Sequence, residues 1–261
     1  MSRSFDSLGG SWAGRPPIAV VGLGAVLPGA PNVAGLRELL RERRPSLTEV
    51  PAERWDWRRY HAEDPGVPDR TSCKRGGFLR DIPFSPADFQ LPPNGAHELH
   101  RMDRALLVAA REALADAALT PQVLRRQQGA VILGFMGYGT PSQRNVVFKA
   151  RLPEMLDAAR ASLEASGLPQ ARRQELLARA ETLYLESLRD ERGGEDRILN
   201  VYSSTAAARI ARYADIRGPH RVVDAACASS FAALAEAIQG LQDGRYDTVI
   251  TGGASPQITP L

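Results

Sequence analysis

Short apolar runs and longer apolar periodicities mark the ordered parts of this chain. Residues 17–23 and 129–134 are continuous runs of small and branched apolar side chains, the pattern of strands buried on both faces. Apolar residues spaced three and four apart predict helices, and clear sets follow Asn32, Met102 and Cys227. Asn32 stands where its side chain can cap the first of these helices. The pattern therefore predicts at least two buried strands and three helices with an apolar face.

Residues 141–196 carry a different pattern. Two apolar sets with helical spacing flank Pro169, and a pair of glycines follows the second set. They predict an amphipathic helical hairpin inserted between core elements. The two apolar faces comprise Leu152, Met155, Leu156 and Leu163 in the first helix and Leu176, Leu177, Ala180, Leu183 and Tyr184 in the second.

Cys227 is the residue with the clearest chemical potential. A β-branched run, Val222-Val223, leads to it through small residues, and an apolar helical set that Gly244 terminates begins directly after it. The cysteine is therefore predicted between a strand and the first turn of a helix. Unpaired amides at a helix start favour a thiolate, and the N–H of Cys227 could stabilise an oxyanion. Because most free cysteines are buried small hydrophobes, position alone leaves the nucleophile and the core residue equally open.

Composition excludes several classes of protein. The chain has 261 residues, 43% hydrophobic and 24% charged, which is typical of a globular protein. Its net charge of +3 comes from basic residues spread along the chain, so nucleic-acid binding is not expected. Cys73 and Cys227 make no disulfide framework, so a reducing, cytoplasmic location is predicted. No apolar run approaches the ~20 residues of a membrane span. Residues 1–14 contain no apolar signal core and are predicted to be a disordered tail.

A glycine-rich stretch follows the first apolar run. Residues 22–29, G-L-G-A-V-L-P-G, suggest a dinucleotide-binding turn. Leu27 stands where the third glycine of that fingerprint belongs, and Pro28 follows it. The stretch therefore argues against a nicotinamide site, and neither a cofactor nor a metal ion is predicted.

Residues 224–230, D-A-A-C-A-S-S, resemble the active-site motif of β-ketoacyl synthases, in which D-[TA]-A-C-[AS]-[SG]-S carries the acyl-accepting cysteine. Residues 246–254 look like the next strand of that family, and residues 17–29 resemble its opening segment, where the glycines serve a tight strand exit. The resemblance implies an α/β fold, the N-terminal half of a thiolase-like αβαβα layered ketosynthase domain. That domain would span residues 15–261 and include a helical insertion at residues 141–196.

Other segments extend the resemblance. Residues 50–56 look like the V-P-x-x-R-W-D segment of the family, and Trp55 and Trp57 are expected to anchor this loop on the core. Residues 200–213 match the helix before the active-site strand, which in the family packs against the twofold-related subunit. The F-Q-L-P-P stretch at residues 89–93 is more similar to polyunsaturated fatty acid and enediyne synthases than to modular polyketide synthases.

The resemblance implies a β-ketoacyl synthase-type acyltransferase. Cys227 would accept an acyl chain from an acyl carrier protein for decarboxylative condensation in fatty-acid or polyketide biosynthesis. A homodimer, or pairing with a complementary C-terminal ketosynthase half, is implied as well. The arginines of the hairpin are expected to form a solvated face, with carrier-protein docking as the less favoured alternative. A non-catalytic partner subunit of a complete ketosynthase is the alternative function, although such subunits usually lack the cysteine.

The family pairs its cysteine with two histidines, in H-G-T-G-T and N-x-G-H contexts. None of the four histidines of this chain lies in such a context; they are His61, His97, His100 and His220. We therefore expect a truncated or split form that is inactive in condensation by itself. A sheet edge and apolar helix faces would then stay open, so we expect no closed monomer.

Overall fold

The computed structural model describes residues 15–79, 82–92, 99–135, 141–187 and 203–255. The predicted tail at residues 1–14 and His97 lie outside these ranges. The helices are α1 (Val33–Glu42), α2 (Arg101–Asp116), α3 (Pro121–Leu124), α4 (Pro141–Glu164), α5 (Gln170–Ser187), α6 (Ser204–Ala214) and α7 (Ser229–Gln242). The strands are β1 (Thr48–Glu49), β2 (Arg75–Gly76), β3 (Gly129–Gly134), β4 (His220–Val223) and β5 (Thr248–Gly253), and 3₁₀ turns occur at Trp57–Arg59, Pro86–Phe89 and Ala226–Ala228.

A parallel sheet of three strands, in the order β4–β3–β5, is the centre of the fold. The middle strand, β3, is buried along its whole length, as its continuous apolar run predicts. Val131 of β3 pairs with His220 of β4 on one side and with Ile250 of β5 on the other. Because all three strands run in the same direction, their carboxyl ends meet at one edge of the sheet.

Helices cover both faces of this sheet. Val131 and Leu133 belong to the larger apolar cluster, which also contains buried residues of α2 and α6. Ala130 and Ile132 point to the opposite face and pack in a second cluster with Ala233 of α7. Successive residues of a strand face opposite sides, and β3 carries an apolar side chain on each. This two-sided burial explains why the run reads as continuously apolar.

The predicted strand at residues 17–23 is not observed. This segment has no regular secondary structure and belongs to no sheet in the described structure, and Val20 and Val21 are 77% and 61% exposed. An apolar run forms a strand only where a neighbouring strand can complete its backbone hydrogen bonds. The carboxylates of α2 serve this region instead, since Asp116 accepts the N–H of Leu23 and Glu112 accepts that of Ala25, both at 2.9 Å.

The glycines of the same segment have a structural role. A Cβ added to Gly22 would lie 2.1 Å from the carbonyl oxygen of Ala113, and one added to Gly24 would lie 1.9 Å from that of Ala109. Both carbonyls belong to α2. The glycines therefore let the segment lie directly on the helix backbone.

The two helices predicted in residues 141–196 are present as α4 and α5. They pack against each other, and the hydroxyl of Tyr184 donates to the carbonyl of Phe148 at 3.2 Å. The predicted apolar faces are only partly covered, because Met155 and Leu183 are 48% and 55% exposed. Residues 188–196 lie outside the described ranges, and the status of this hairpin as an insertion stays a prediction.

Near the N-terminus, the predicted helix cap is confirmed, whereas Trp55 and Trp57 contact Phe78 and His61 and neither core cluster includes them. Asn32 caps α1, with its side-chain oxygen accepting the N–H of Gly35 at 2.7 Å. Trp55 contacts the ring of Phe78 edge-on, with 5.6 Å between ring centroids. The loop is thereby held beside the short β1–β2 pair. Among the described residues, no helix combines the length and the apolarity that crossing a membrane requires.

Candidate active site

Cys227 lies in the 3₁₀ turn Ala226–Ala228, which joins the end of β4 to the start of α7. The predicted order of strand, turn and helix is thus confirmed, although α7 begins two residues after the cysteine, at Ser229. The side chain of Cys227 is exposed. The alternative interpretation, a cysteine buried in the core, is therefore wrong.

The backbone of this turn is strained. Ala226 has a φ of 51°, in the left-handed region, which costs roughly 1–2 kcal/mol for a residue with a Cβ. The Asp224 carboxylate accepts the N–H of Ala226 at 3.1 Å. Strained residues of this kind persist where their surroundings fix them, and they concentrate at functional sites.

Ser229 holds the same turn from the helix side. Its hydroxyl accepts the N–H of Ala225 at 2.9 Å and donates to the carbonyl of Ala226 at 2.6 Å. Ser229 is only 3% exposed. Within the described part of the chain, the N–H of Cys227 itself donates to no hydrogen bond. An amide is thus left available beside the thiol.

Cys227 lines a cavity of about 580 Å³. The turn and α7 contribute Ala226, Cys227, Ser229 and Ser230, and the ends of two strands contribute Gly134, Phe135, Gly253, Ala254 and Ser255. Ligands of parallel α/β sheets bind outside the carboxyl ends of the strands. The cavity occupies that position beside the end of β3 and the end of β5.

Two glycines allow the strand ends to approach the start of α7. A Cβ on Gly134 would lie 2.1 Å from the carbonyl oxygen of Ser229, and a Cβ on Gly253 would lie 2.6 Å from the Cβ of Ser230. Neither distance is compatible with a side chain. By contrast, a Cβ on Gly252 would meet nothing within 4 Å. The first glycine of the pair in β5 is thus dispensable for packing, whereas the second is not.

A second cavity, of about 350 Å³, shares Gly253, Ala254 and Ser255 with the first. It extends between the N-terminal segment and the start of α2, where Arg54 and Arg101 form part of its wall. Both guanidinium groups donate to the carbonyl of Leu79, at 2.9 and 2.7 Å. The two cavities therefore have the end of β5 as a common wall.

A buried ion pair joins the helices behind the sheet. Asp103 of α2 and Arg209 of α6 approach to 3.0 Å, with side-chain exposures of 7% and 16%. Burial raises the pKa of the Asp103 carboxyl above its ordinary value, and the attraction of Arg209 opposes this shift. Desolvation thus outweighs attraction, which is common for buried pairs. The pair links α2 to α6 and does not line the cavity of Cys227.

No group of three or more metal-ligating side chains occurs among the described residues. The arrangement at Cys227 instead suits covalent chemistry. It combines an exposed thiol, an available amide and the start of a helix.

Residues 15–261 match the family model of the β-ketoacyl synthase N-terminal domain. The chain belongs to this family. The β-ketoacyl synthases are enzymes, and the motif around Cys227 predicted this family.

Curated relatives of this chain are polyketide synthases. The chain is 31% identical over 252 residues to the spectinabilin polyketide synthase system protein NorC of Streptomyces orinoci, and 27% identical over 249 residues to polyketide synthase PksN of Bacillus subtilis. Each alignment covers 95% of this chain but only 9% and 4% of the respective relative. The ketosynthase chain thus spans a small part of these proteins.

Solved ketosynthase domains share its fold. The oxazolomycin ketosynthase domain OzmH KS7 of Streptomyces albus superposes with a TM-score of 0.64 at 26% identity, covering 90% of this chain and 33% of that one. A ketosynthase from module 6 of the bacillaene synthase of Bacillus subtilis gives a TM-score of 0.61 at 25% identity over 93% of this chain. The predicted thiolase-like α/β fold is confirmed, while the resemblance of residues 89–93 to particular subfamilies stays a prediction.

The described histidines of the ketosynthase lie away from the thiol. His61 contacts the ring of Trp57, and His220 is the exposed first residue of β4. His100 caps α2, where its Nδ1 accepts the N–H of Met102 at 3.3 Å, and it borders the second cavity. None of these three lines the cavity of Cys227.

Several residues that shape the site were not singled out by the sequence. In the sequence, Ser229 and Asp224 appear only as letters of the motif at residues 224–230, and Gly134 only as the end of a buried apolar run. The available signal was that polar or glycine residues terminate otherwise apolar runs at the positions where parallel strands end.

Proposed function

We propose that this ketosynthase domain accepts an acyl chain on Cys227 from the phosphopantetheine thioester of an acyl carrier protein, for condensation in polyketide or fatty-acid biosynthesis. The observation that carries the proposal is an exposed thiol in a fixed turn beside a cavity of about 580 Å³. The polyketide synthases among its relatives support the substrate class.

The chemistry is a transfer between thioesters. The Cys227 thiolate attacks the thioester carbonyl, and the developing oxyanion accepts a hydrogen bond from the N–H of Cys227. When the tetrahedral intermediate collapses, the bond to the carrier sulfur breaks and a new thioester to Cys227 remains. The carrier thiolate leaves and takes up a proton. The start of α7 favours the negative charge of the attacking sulfur.

Condensation needs more than this site offers. Loss of carbon dioxide from a malonyl thioester produces an enolate, whose oxygen the two family histidines stabilise. Removing one such donor typically costs ~10²–10³ in rate. Since no described histidine lines the cavity of Cys227, we propose that Cys227 accepts an acyl group from the carrier thioester but that these 261 residues do not catalyse condensation alone.

Association with a further subunit belongs to the same proposal. The helix that begins at Ser229 exposes Phe231 by 74% and Leu234 by 41%, and exposed apolar patches mark interaction sites. We propose that a second copy or a complementary ketosynthase half covers this face. Sedimentation velocity should show self-association that Phe231→Ser weakens, and a monodisperse monomer at all concentrations would contradict coverage by a second copy.

The test compares two exposed cysteines. The chain is incubated with an acyl-pantetheine thioester and, separately, with iodoacetamide, and adducts are measured by intact-mass spectrometry. We expect one acyl group per chain, retained in Cys73→Ala and lost in Cys227→Ala. Cys73 is the matched control because it is also exposed, while its thiol donates to the carbonyl of Arg75 outside any turn of this kind. Acylation that follows Cys73, or a folded protein with an inert Cys227, contradicts the proposal and favours a non-catalytic partner subunit.

A further inference from the structure

We infer that Ser229 is a positioning residue, whose buried hydroxyl aims the N–H of Cys227 into the cavity. The inference rests on the proposed acyl transfer to Cys227. The hydroxyl of Ser229 makes two hydrogen bonds. It accepts the N–H of Ala225 at 2.9 Å and donates to the carbonyl of Ala226 at 2.6 Å. Both partners are backbone groups of the turn that carries the nucleophile.

The bond to Ala226 has a particular consequence. The carbonyl of Ala226 and the N–H of Cys227 belong to the same peptide unit, which is planar and, like every described peptide, not cis. In a trans peptide, the C=O and N–H point in opposite directions. The hydroxyl and the N–H of Ser229 both donate to this carbonyl and hold it toward the buried Ser229. The N–H of Cys227 is therefore directed the other way. This is the amide that donates to no hydrogen bond in the described structure.

The turn needs such a restraint. Ala226 is in the left-handed region at φ 51° and has only a methyl side chain, so it cannot fix its own conformation. Asp224 restrains a different peptide unit, through the N–H of Ala226. Without the Ser229 hydroxyl, one of the two donors to the carbonyl of Ala226 is lost, and only the N–H of Ser229 still restrains the peptide unit between Ala226 and Cys227 against rotation toward ordinary backbone conformations.

The position of Ser229 is itself fixed. The carbonyl oxygen of Ser229 lies against Gly134, since a Cβ added to Gly134 would lie 2.1 Å from this oxygen. The first turn of α7 is thus pressed against the end of β3, and the backbone of Ser229 cannot shift toward β3. The hydroxyl is fixed in turn by its own two hydrogen bonds.

The role predicts a separation between two reactions of the same thiol. Acyl transfer develops an oxyanion that the N–H of Cys227 stabilises, whereas alkylation by iodoacetamide displaces iodide and develops none. Ser229→Ala should therefore lower the rate of acylation at least tenfold, toward the ~10²–10³ expected for one lost donor. It should change the rate of alkylation by less than about threefold. A purely structural defect would lower both rates together.

The experiment measures both rates by mass spectrometry in the full chain, below the melting temperature of each variant. Thr182→Ala is the matched control, since it removes a hydroxyl that donates to the carbonyl of Ala178 at 2.9 Å in the hairpin. Ser229→Thr keeps the hydroxyl and should retain most of the ratio of acylation to alkylation. It also serves as the test if Ser229→Ala does not fold.

Equal acylation of wild type and Ser229→Ala would overturn the inference and leave the proposed function intact. A parallel fall of both rates would also overturn it, as would a Ser229→Thr variant that alkylates normally and loses acylation. If the wild type itself is alkylated but never acylated, the proposed function fails and the inference fails with it.

Discussion

The turn around Cys227 and the α4–α5 hairpin differ in what surrounds their backbone. The turn is held by a buried hydroxyl and by strand ends that leave no space for a Cβ at Gly134. The hairpin packs on itself, and its ion pairs are exposed, with the side chains of Arg151 and Glu154 68% and 71% accessible. Ion pairs and close packing should therefore contribute much more to the free energy of unfolding near the sheet than in the hairpin.

The largest expected difference concerns ion pairs. Asp103→Ala removes the carboxylate partner of the mostly buried Arg209, and breaking a buried pair costs about 3–5 kcal/mol of unfolding free energy. Glu154→Ala, which breaks a pair of 3.3 Å in the hairpin, should cost about 0.2–0.5 kcal/mol. Chemical denaturation of both variants measures the difference. Equal losses would show that the two regions are not distinguished by burial.

The same pair predicts a dependence on pH. Because burial raises the pKa of Asp103, the folded state holds this proton more tightly than the unfolded state. The contribution of Asp103 to stability is then full below the ordinary carboxyl pKa and falls as pH rises through its raised pKa. Asp103→Asn should flatten this part of the stability profile.

Asp103→Leu combined with Arg209→Met should recover most of the loss seen in Asp103→Ala.

Glycine substitutions should give an intermediate effect. Gly134→Ala forces a methyl group against the carbonyl of Ser229, and overpacking of this kind costs about 1–3 kcal/mol. It should also displace the start of α7 and slow alkylation of Cys227. Gly252→Ala is the matched control in the neighbouring strand, where the new methyl meets nothing. It should be neutral or stabilise by about 0.4–1 kcal/mol through the unfolded state, and a loss as large as that of Gly134→Ala would contradict the packing argument.

The smallest effect is expected for the hairpin as a whole. Replacing residues 147–186 by a short Gly/Ser linker should leave the iodoacetamide rate of Cys227 within about twofold, because long surface loops change stability only weakly with length. The described hairpin contains no cysteine or histidine. Complete loss of Cys227 reactivity in a folded variant would show that the hairpin supports the site.

The sequence predicted what depends on local pattern. β3 is buried on both faces, so its apolar run was unambiguous, and the small residues around Cys227 indicated a sharp turn before a helix. Residues 17–23 have the same apolar character, yet they form no strand, because strand formation depends on a neighbour that pattern alone does not supply. The role of Ser229 was equally hidden, since it depends on the carbonyl of Ala226 and on the distant Gly134.

The parallel direction of β3, β4 and β5 has a consequence for the order of folding. Parallel neighbours need long crossover connections, so Gly134, Cys227 and Gly253 come from well-separated parts of the chain. Contacts between such distant segments form slowly. The cavity is complete only after β5 has joined the sheet, and β5 is synthesised after β3 and β4. A thiol label applied during refolding would therefore record when Cys227 gains its final surroundings, and so when this sheet closes.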